Sequence, residues 1–318
     1  MFVAGIDENG LGPKLGPLVV TGALFETDGD GYEPSRFGEA LEGATALGGA
    51  RVADSKAVMS ASAMGPGETT VLALASRLRG DATRTDGEFL EAFCHPPPSA
   101  WRDACPPEGR TLCFGPDAPL GLFGADLANA RELGARLAPA MASAGVTLRA
   151  VHAEVLCPAR FNRTLEEEGN GKARLDLAAF ERRIRAFAGD AGEDALYLCG
   201  KVMNLAYYTP HMDLPRTHPL LQRSESKRAS VYRFQDLGEV RFLLDGDRDH
   251  LPIAVASMFG KYVREIFMKR LNRFFAGLFP GHRAVSGYGD PVTRAFLRRA
   301  LPLLDARRIP RACLLRNG

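Results

Sequence analysis

The chain of 318 residues has no apolar run approaching the roughly 18 residues needed to cross a bilayer, so no membrane-spanning helix is expected. Its opening, MFVAGIDENG, lacks the basic start and apolar core of a secretory signal and carries acids instead, so the reading is of a cytoplasmic protein. Cysteine is scarce: the six residues, at 94, 105, 113, 157, 199 and 313, form no CxxC pair and no regular framework. That excludes a zinc ribbon or a secreted disulfide scaffold and leaves reduced thiols. No segment repeats at a fixed period. With 46% hydrophobic and 25% charged residues the chain is not disordered, and its length can bury one large core or two modest ones.

What is present begins with an uneven distribution of charge. The net charge of +2 hides a basic C-terminal third, in which 21 Lys and Arg against 10 Asp and Glu give +11 over residues 201–318 and leave −9 for residues 1–200. Such a block hints electrostatically at a polyanionic partner. It also fits an ordinary solvated surface.

Phe2 to Ile6 and Leu18 to Phe25 read as two buried strands turned by the Gly/Pro-rich segment 10–17, an opening antiparallel hairpin. A helix is predicted over 69–79, and residues 84–125, rich in Pro, Gly and Cys, read as an irregular insertion. Helical periodicity returns at 125–144, followed by a strand over 148–156 and an amphipathic helix over 173–188. Strands are predicted at 195–198 and 240–244, and helices over 250–277 and 290–304. Strands alternating with helices after a hairpin argue for an α/β fold with a mixed central sheet, flanking helices and C-terminal helices. The organisation expected is one domain over 1–318, with the insertion around 84–125 and a helical part around 250–318.

Two adjacent carboxylates, Asp7 and Glu8, stand where the first strand runs into its glycine turn. Clustered acids are costly without a cation, and a hard divalent ion with oxygen ligands is the usual answer. A second cluster, Asp245, Asp247 and Asp249, follows a strand and precedes the long helix, at the kind of edge where α/β sheets collect ligands. Each cluster also has a purely structural reading, Asp7 as a turn cap with Glu8 exposed and the second cluster as a helix N-cap, although three acids in five residues exceed what capping requires.

These residues are part of a larger pattern. The opening GIDENGLGPKLGPLVVTGAL resembles that of type 2 ribonuclease H, the ribonuclease HII-like family, in which an Asp-Glu-Ala-Gly-Arg-Gly-Pro run precedes Gly-Pro and an apolar strand. Ala53-Asp54-Ser55-Lys56 resembles that family's Asp-Ser-Lys element. Gly246-Asp247 and the run Ile253 to Glu265 are similar to its Gly-Asp followed by Ile-Ala-Ala-Ala-Ser and Ala-Lys-Val-x-Arg-Asp, and Ser286-Gly287-Tyr288 to its Lys-Gly-Tyr. The four elements occur in order and cover both ends of the chain, whereas residues 60–235 match only in outline.

The resemblance implies a ribonuclease H-like fold and an endoribonuclease that hydrolyses the RNA strand of RNA–DNA hybrids, or ribonucleotides embedded in duplex DNA, with Mg2+ or Mn2+. Asp7, Glu8 and Asp247 would hold the metal and be catalytic. Gly10, Leu11 and Gly12 would form the loop that approaches the substrate strand. Tyr288 would stack at the RNA–DNA junction, and Ser55, Lys56 and Lys261 would serve phosphates. A monomer is expected.

The chain departs from the family at three places. Cys199 stands where a fourth carboxylate is expected on the strand before that of Asp247, and a thiol is a poor Mg2+ ligand. Asp194 is five residues back, about 16 Å along a strand, so compensation falls to Glu154, Asp245 or Asp249, or catalysis is impaired. Leu11 replaces an Arg, and Val285-Ser286 replaces His-Lys. A catalytically impaired module that binds hybrid or duplex nucleic acid is therefore the alternative reading, and an unrelated α/β protein with capping acids a third.

Overall fold

The computed structural model describes residues 1–29, 31–38, 58–60, 63–168, 171–203 and 205–317. The elements in chain order are β1 (Phe2–Asn9), β2 (Leu18–Thr27), α1 (Gly65–Arg79), α2 (Asp86–Phe93), α3 (Pro98–Trp101), α4 (Pro107–Cys113), α5 (Leu127–Ser143), β3 (Val146–Leu156), α6 (Pro158–Glu168) and α7 (Gly171–Ala191). There follow β4 (Asp194–Gly200), β5 (Leu220–Glu225), β6 (Ala229–Phe234), β7 (Leu237–Leu243), α8 (Gly246–Asp249), α9 (Leu251–Ala276) and α10 (Pro291–Ala306).

The strands form one mixed seven-stranded sheet in the order β3-β2-β1-β4-β7-β6-β5. β1, β2 and β3 form an antiparallel meander, as expected of the opening hairpin. β4 lies parallel to β1 and β7 parallel to β4. Three adjacent strands thus point the same way, and their carboxyl ends, near residues 8, 200 and 243, share one edge of the sheet. The chain reverses there into loops, which is where open α/β sheets bind ligands.

Alternation along the central strands sends side chains to two cores. Val3, Leu196 and Leu198 face a layer containing α9, α1 and α5. Ala4, Ile6, Tyr197 and Cys199 face the layer of α7, with Phe180, Ile184 and Phe187. α9 presses onto β1 so closely that a Cβ on Gly5 would lie 2.0 Å from the carbonyl carbon of Pro252. The helix that begins just after Asp247 is thereby drawn over the strand that carries Asp7.

Residues 84–125, read from the sequence as irregular, carry three short helices, α2, α3 and α4. Within the segment Thr85 and Glu88 form a capping box at the start of α2 and Glu91 accepts from Ser99, and further partners lie outside it. Arg270 of α9 makes a two-pronged ion pair with buried Asp86, at 3.0 and 2.7 Å, and reaches Asp117 at 2.7 Å. Glu68 accepts hydrogen bonds from the amides of Phe123 and Ala125 and from the Tyr262 hydroxyl. All six cysteines are free thiols. Among the described residues no helix is long and apolar enough to cross a membrane.

The close approach of α9 is open to test. Gly5→Ala places a methyl group against backbone that cannot swing aside, and overpacking of this kind costs about 1–3 kcal/mol. The urea midpoint is expected to fall accordingly; an unchanged midpoint would mean that α9 and β1 are not in this contact.

Candidate functional site

β1 delivers Asp7, Glu8 and Asn9 to the carboxyl edge. Ile6 pairs with Cys199, so Asp7 comes level with Gly200. Because Gly200 has no side chain, Asp7 fits against it, with Oδ1 2.3 Å from where a Cβ would stand. The carboxylate is almost buried and accepts a hydrogen bond from Ser257 of α9, whose carbonyl in turn receives the Asn9 amide at 3.0 Å. After β7 the chain turns through Asp245 in the left-handed region, φ 54°, which brings Asp247 around to the same edge.

Burial holds the Asp7 carboxyl well above the usual carboxylate range, and the negative charges of Glu8 and Asp247 push it further; the Ser257 hydrogen bond opposes them. Both neighbours therefore stand close enough to repel it. One cavity of about 470 Å³ is lined by Asp7, Glu8, Asp245 and Asp247. Gly10, Leu11, Gly12, Lys261 and Tyr288 line the same cavity. Residues from the first dozen positions and from the last quarter of the chain thus share one hollow.

The glycine loop and Tyr288 are held by one buried cation. Gly10 has φ +90°, and a Cβ there would lie 2.6 Å from Arg264 Nε. The Arg264 guanidinium pairs with Glu265 at 2.7 Å, donates to the Ser286 carbonyl at 3.0 Å and lies 5.8 Å from the centre of the Tyr288 ring. The Gly287 carbonyl accepts from the amides of Lys14 and Leu15, so the two loops are also joined through backbone. Tyr288 is half exposed. Lys261, 3.2 Å from Glu265, borders the cavity and a second groove of about 640 Å³ that runs along α9 past Lys269 and Arg273.

Several expected residues sit elsewhere. Ser55 and Lys56 lie outside the described residues. Cys199 does not line the cavity; it is fully buried in the core on the α7 face, where burial and the charge of Asp7 push its thiol up. Leu11 is buried against the same core, which suits an apolar residue and would not suit a cation. Of the acids considered as replacements for a carboxylate at 199, Glu154 is engaged by Arg182 at 2.9 Å and Arg183 at 3.3 Å, and Asp249 is not among the lining residues. Asp245 is. Asp194 starts β4 at the opposite end, 3.6 Å from Arg233. Asn9, Ser257 and Lys201 are lining residues that the sequence reading passed over, although each directly adjoins a motif residue or lies within a motif.

Among the described residues, no group of three or more Asp, Glu, His or Cys side chains is placed to hold a metal ion by itself. The donors that line the cavity nevertheless suit Mg2+ or Mn2+: they are carboxylate oxygens, with no His or Cys among them, and their mutual repulsion is what a cation relieves. Mg2+ is ordinarily bound by one or two carboxylates, waters and substrate phosphates rather than by an all-protein cage.

No protein-family model matches the chain, and no curated protein sequence matches it. Among solved structures it is similar to RNase HII of Archaeoglobus fulgidus in its complex with PCNA, at 15% identity over 100% of this chain and 98% of that one, with a TM-score of 0.45. It is similar to ribonuclease H2 of Pyrococcus horikoshii OT3, at 13% identity over 96% and 89% of the two chains, TM-score 0.41. It is likewise similar to Bst-RNase HIII in complex with Mn2+, at 15% identity over 99% of this chain and 66% of that one, TM-score 0.42. Likeness at this level assigns no activity to the chain.

Proposed function

We propose that this chain is a divalent-cation-dependent endoribonuclease of the type 2 ribonuclease H kind, which hydrolyses RNA paired with DNA or ribonucleotides set in duplex DNA. The observation that carries the reading is that Asp7, Glu8 and Asp247 line one cavity together with the glycine loop, Lys261 and Tyr288. Capping alone gives these acids no reason to converge.

In this reading Asp7, Glu8 and Asp247 hold Mg2+ or Mn2+. Such ions supply Lewis-acid activation of a phosphodiester and of the water that attacks it, and stabilise the leaving 3′ oxygen. Asp7, nearly buried and fixed by Ser257 and Gly200, is the anchoring ligand; Glu8 and Asp247 complete the acidic set from the two sides. The Gly10–Gly12 backbone comes close to the ribose, where contacts to the 2′-hydroxyl distinguish RNA from DNA. Tyr288 offers a ring face for stacking. Lys261 faces phosphate, with Ser55 and Lys56 assigned the same task from sequence alone. The acids carry the chemistry, and the basic C-terminal third attracts the polyanion.

A second reading is favoured by one feature. Cys199, where a carboxylate is expected, faces the apolar core, which fits a module that binds hybrid duplex without cutting it. The two readings separate in a cleavage assay that compares an RNA–DNA hybrid with a duplex holding one ribonucleotide, in Mg2+ and in Mn2+. Cleavage is expected, and Asp7→Asn is expected to reduce it by at least ~100-fold, about 2.7 kcal/mol of barrier, with metal-free binding kept. Undiminished cleavage by that variant would remove Asp7 from the mechanism; hybrid binding with no cleavage by the unaltered chain would favour the second reading.

The electrostatics yield two further expectations. The folded pKa of Asp7 is raised, so its stabilising contribution is present at low pH and is lost as pH rises from the ordinary carboxylate range through the raised value. At neutral pH in EDTA, Asp7→Asn is therefore expected to raise the melting temperature; a fall would contradict the repulsion described. Lys261→Gln is expected to lower the salt slope of hybrid binding by about 1, the value for one lost phosphate contact. An unchanged slope would take Lys261 off the phosphate path.

A further inference from the structure

Under the carboxyl edge lies a carboxylate that the rest of the fold does not account for. Asp176 of α7 is fully buried, and neither of its oxygens has a hydrogen-bond partner. Other strongly buried acids are satisfied: Asp86 by Arg270, Glu154 by Arg182 and Arg183, Glu68 by two amides and Tyr262, and Glu181 by the amides of Asp213 and Leu214. Among the described residues no Lys or Arg pairs with Asp176. A buried carboxylate without a cation or donor is among the more expensive arrangements a core can hold. Such a group calls for an explanation in terms of function or of a bound ion.

Its position suggests one. α7 ends at Ala191 and β4 starts at Asp194, so the helix runs back along the strand it precedes. From Asp176 to Ala191 the helix rises about 22 Å, and from Asp194 to Gly200 the strand extends about 20 Å. Asp176 therefore comes level with Cys199 and Gly200. The electrostatics agree: among the described residues the charged neighbour acting on Asp176 is Asp7, Asp7 also acts on Cys199, and Tyr208 senses both Cys199 and Asp176. Asp176 does not line the cavity. It approaches the edge from the α7 layer, while Asp7 and Ser257 belong to the α9 side.

We propose that Asp176 is the fourth acidic group of the divalent-cation site, a carboxylate supplied by the helix facing β4 in place of one on the strand itself, where Cys199 stands. The inference rests on the reading of Asp7, Glu8 and Asp247 as the cation-binding acids. It explains together why a thiol is tolerated at position 199 and why a core position holds an unpartnered acid.

The test is Mn2+ binding, followed by the loss of the free-ion electron paramagnetic resonance signal and by the Mn2+-induced rise in melting temperature. It uses the full chain, Asp7→Asn, Asp176→Asn, Cys199→Asp and the double variant Asp176→Asn/Cys199→Asp. Asp176→Asn is expected to weaken Mn2+ binding tenfold or more while the melting temperature in EDTA stays the same or rises, since a buried uncompensated charge is removed. The double variant is expected to regain most of the affinity. Cys199→Asp alone is expected to gain little, because the acidic set is already complete; this holds even if Asp176→Asn does not fold. Wild-type affinity in Asp176→Asn, or a tenfold gain in Cys199→Asp, overturns the proposal. If Asp7→Asn loses binding while Asp176→Asn keeps it, only this inference fails; if the unaltered chain binds no Mn2+, the proposed function fails with it.

Discussion

The contact on which the rest of the structure depends is that of α9 with β1. At Gly5 the strand has no side chain, and the backbone of Pro252 and Ile253 occupies the space one would need. Everything at the carboxyl edge follows from that proximity. The helix starts two residues after Asp249, so seating its first turn on β1 brings the preceding acidic turn to the end of the same strand. Ser257, two turns further, reaches Asp7, and Arg264, two turns beyond that, reaches the Gly10 loop. One helix laid on one strand thus sets three kinds of group around a hollow: acids, a glycine backbone and an aromatic ring.

The arrangement concentrates like charge where the fold is already dense. Glu8 and Asp247 both repel Asp7 in a setting that also desolvates it. Folded proteins generally avoid such clusters unless a cation or a positively charged partner restores the balance. Around these acids Arg264 is enclosed among Glu265, Ser286 and the glycine loop, Lys201 donates to the carbonyls of Ser226 and Lys227, and Lys261 borders the same cavity. The acids themselves line the cavity. This is the physical content of reading it as a place for divalent ions and the phosphates they accompany.

Much of this was legible in the sequence. The strongly periodic segments appeared close to where they were expected: the helix expected over 125–144 spans Leu127–Ser143, and the strand expected over 148–156 spans Val146–Leu156. The turn signals around Gly10 and Gly16 gave the opening hairpin. What escaped was ordered by distant partners. Arg270, which lies outside helices α2 to α4 in sequence, holds Asp86 of α2 and the Cys113 carbonyl of α4, and Glu68 holds the amides of Phe123 and Ala125. The strand Leu220–Glu225 is at the sheet edge and mostly exposed, so it shows no apolar alternation. Asp176 looked like one polar residue on an amphipathic helix, because local periodicity does not say which turn of a helix meets the end of a neighbouring strand.

The glycine loop is also held from the far end of the sequence. The Arg316 amide donates to the Lys14 carbonyl at 3.0 Å, its guanidinium donates to the Pro13 carbonyl, and Leu315 bridges to Leu15. The stretch that begins the hollow is thus clasped by residues some 300 positions later in the chain. On the ribosome the loop that follows Glu8 emerges some 300 residues ahead of Arg316, and it acquires its clasp only once residue 316 has been added. The nascent polypeptide therefore cannot assemble a finished hollow until synthesis has passed that point.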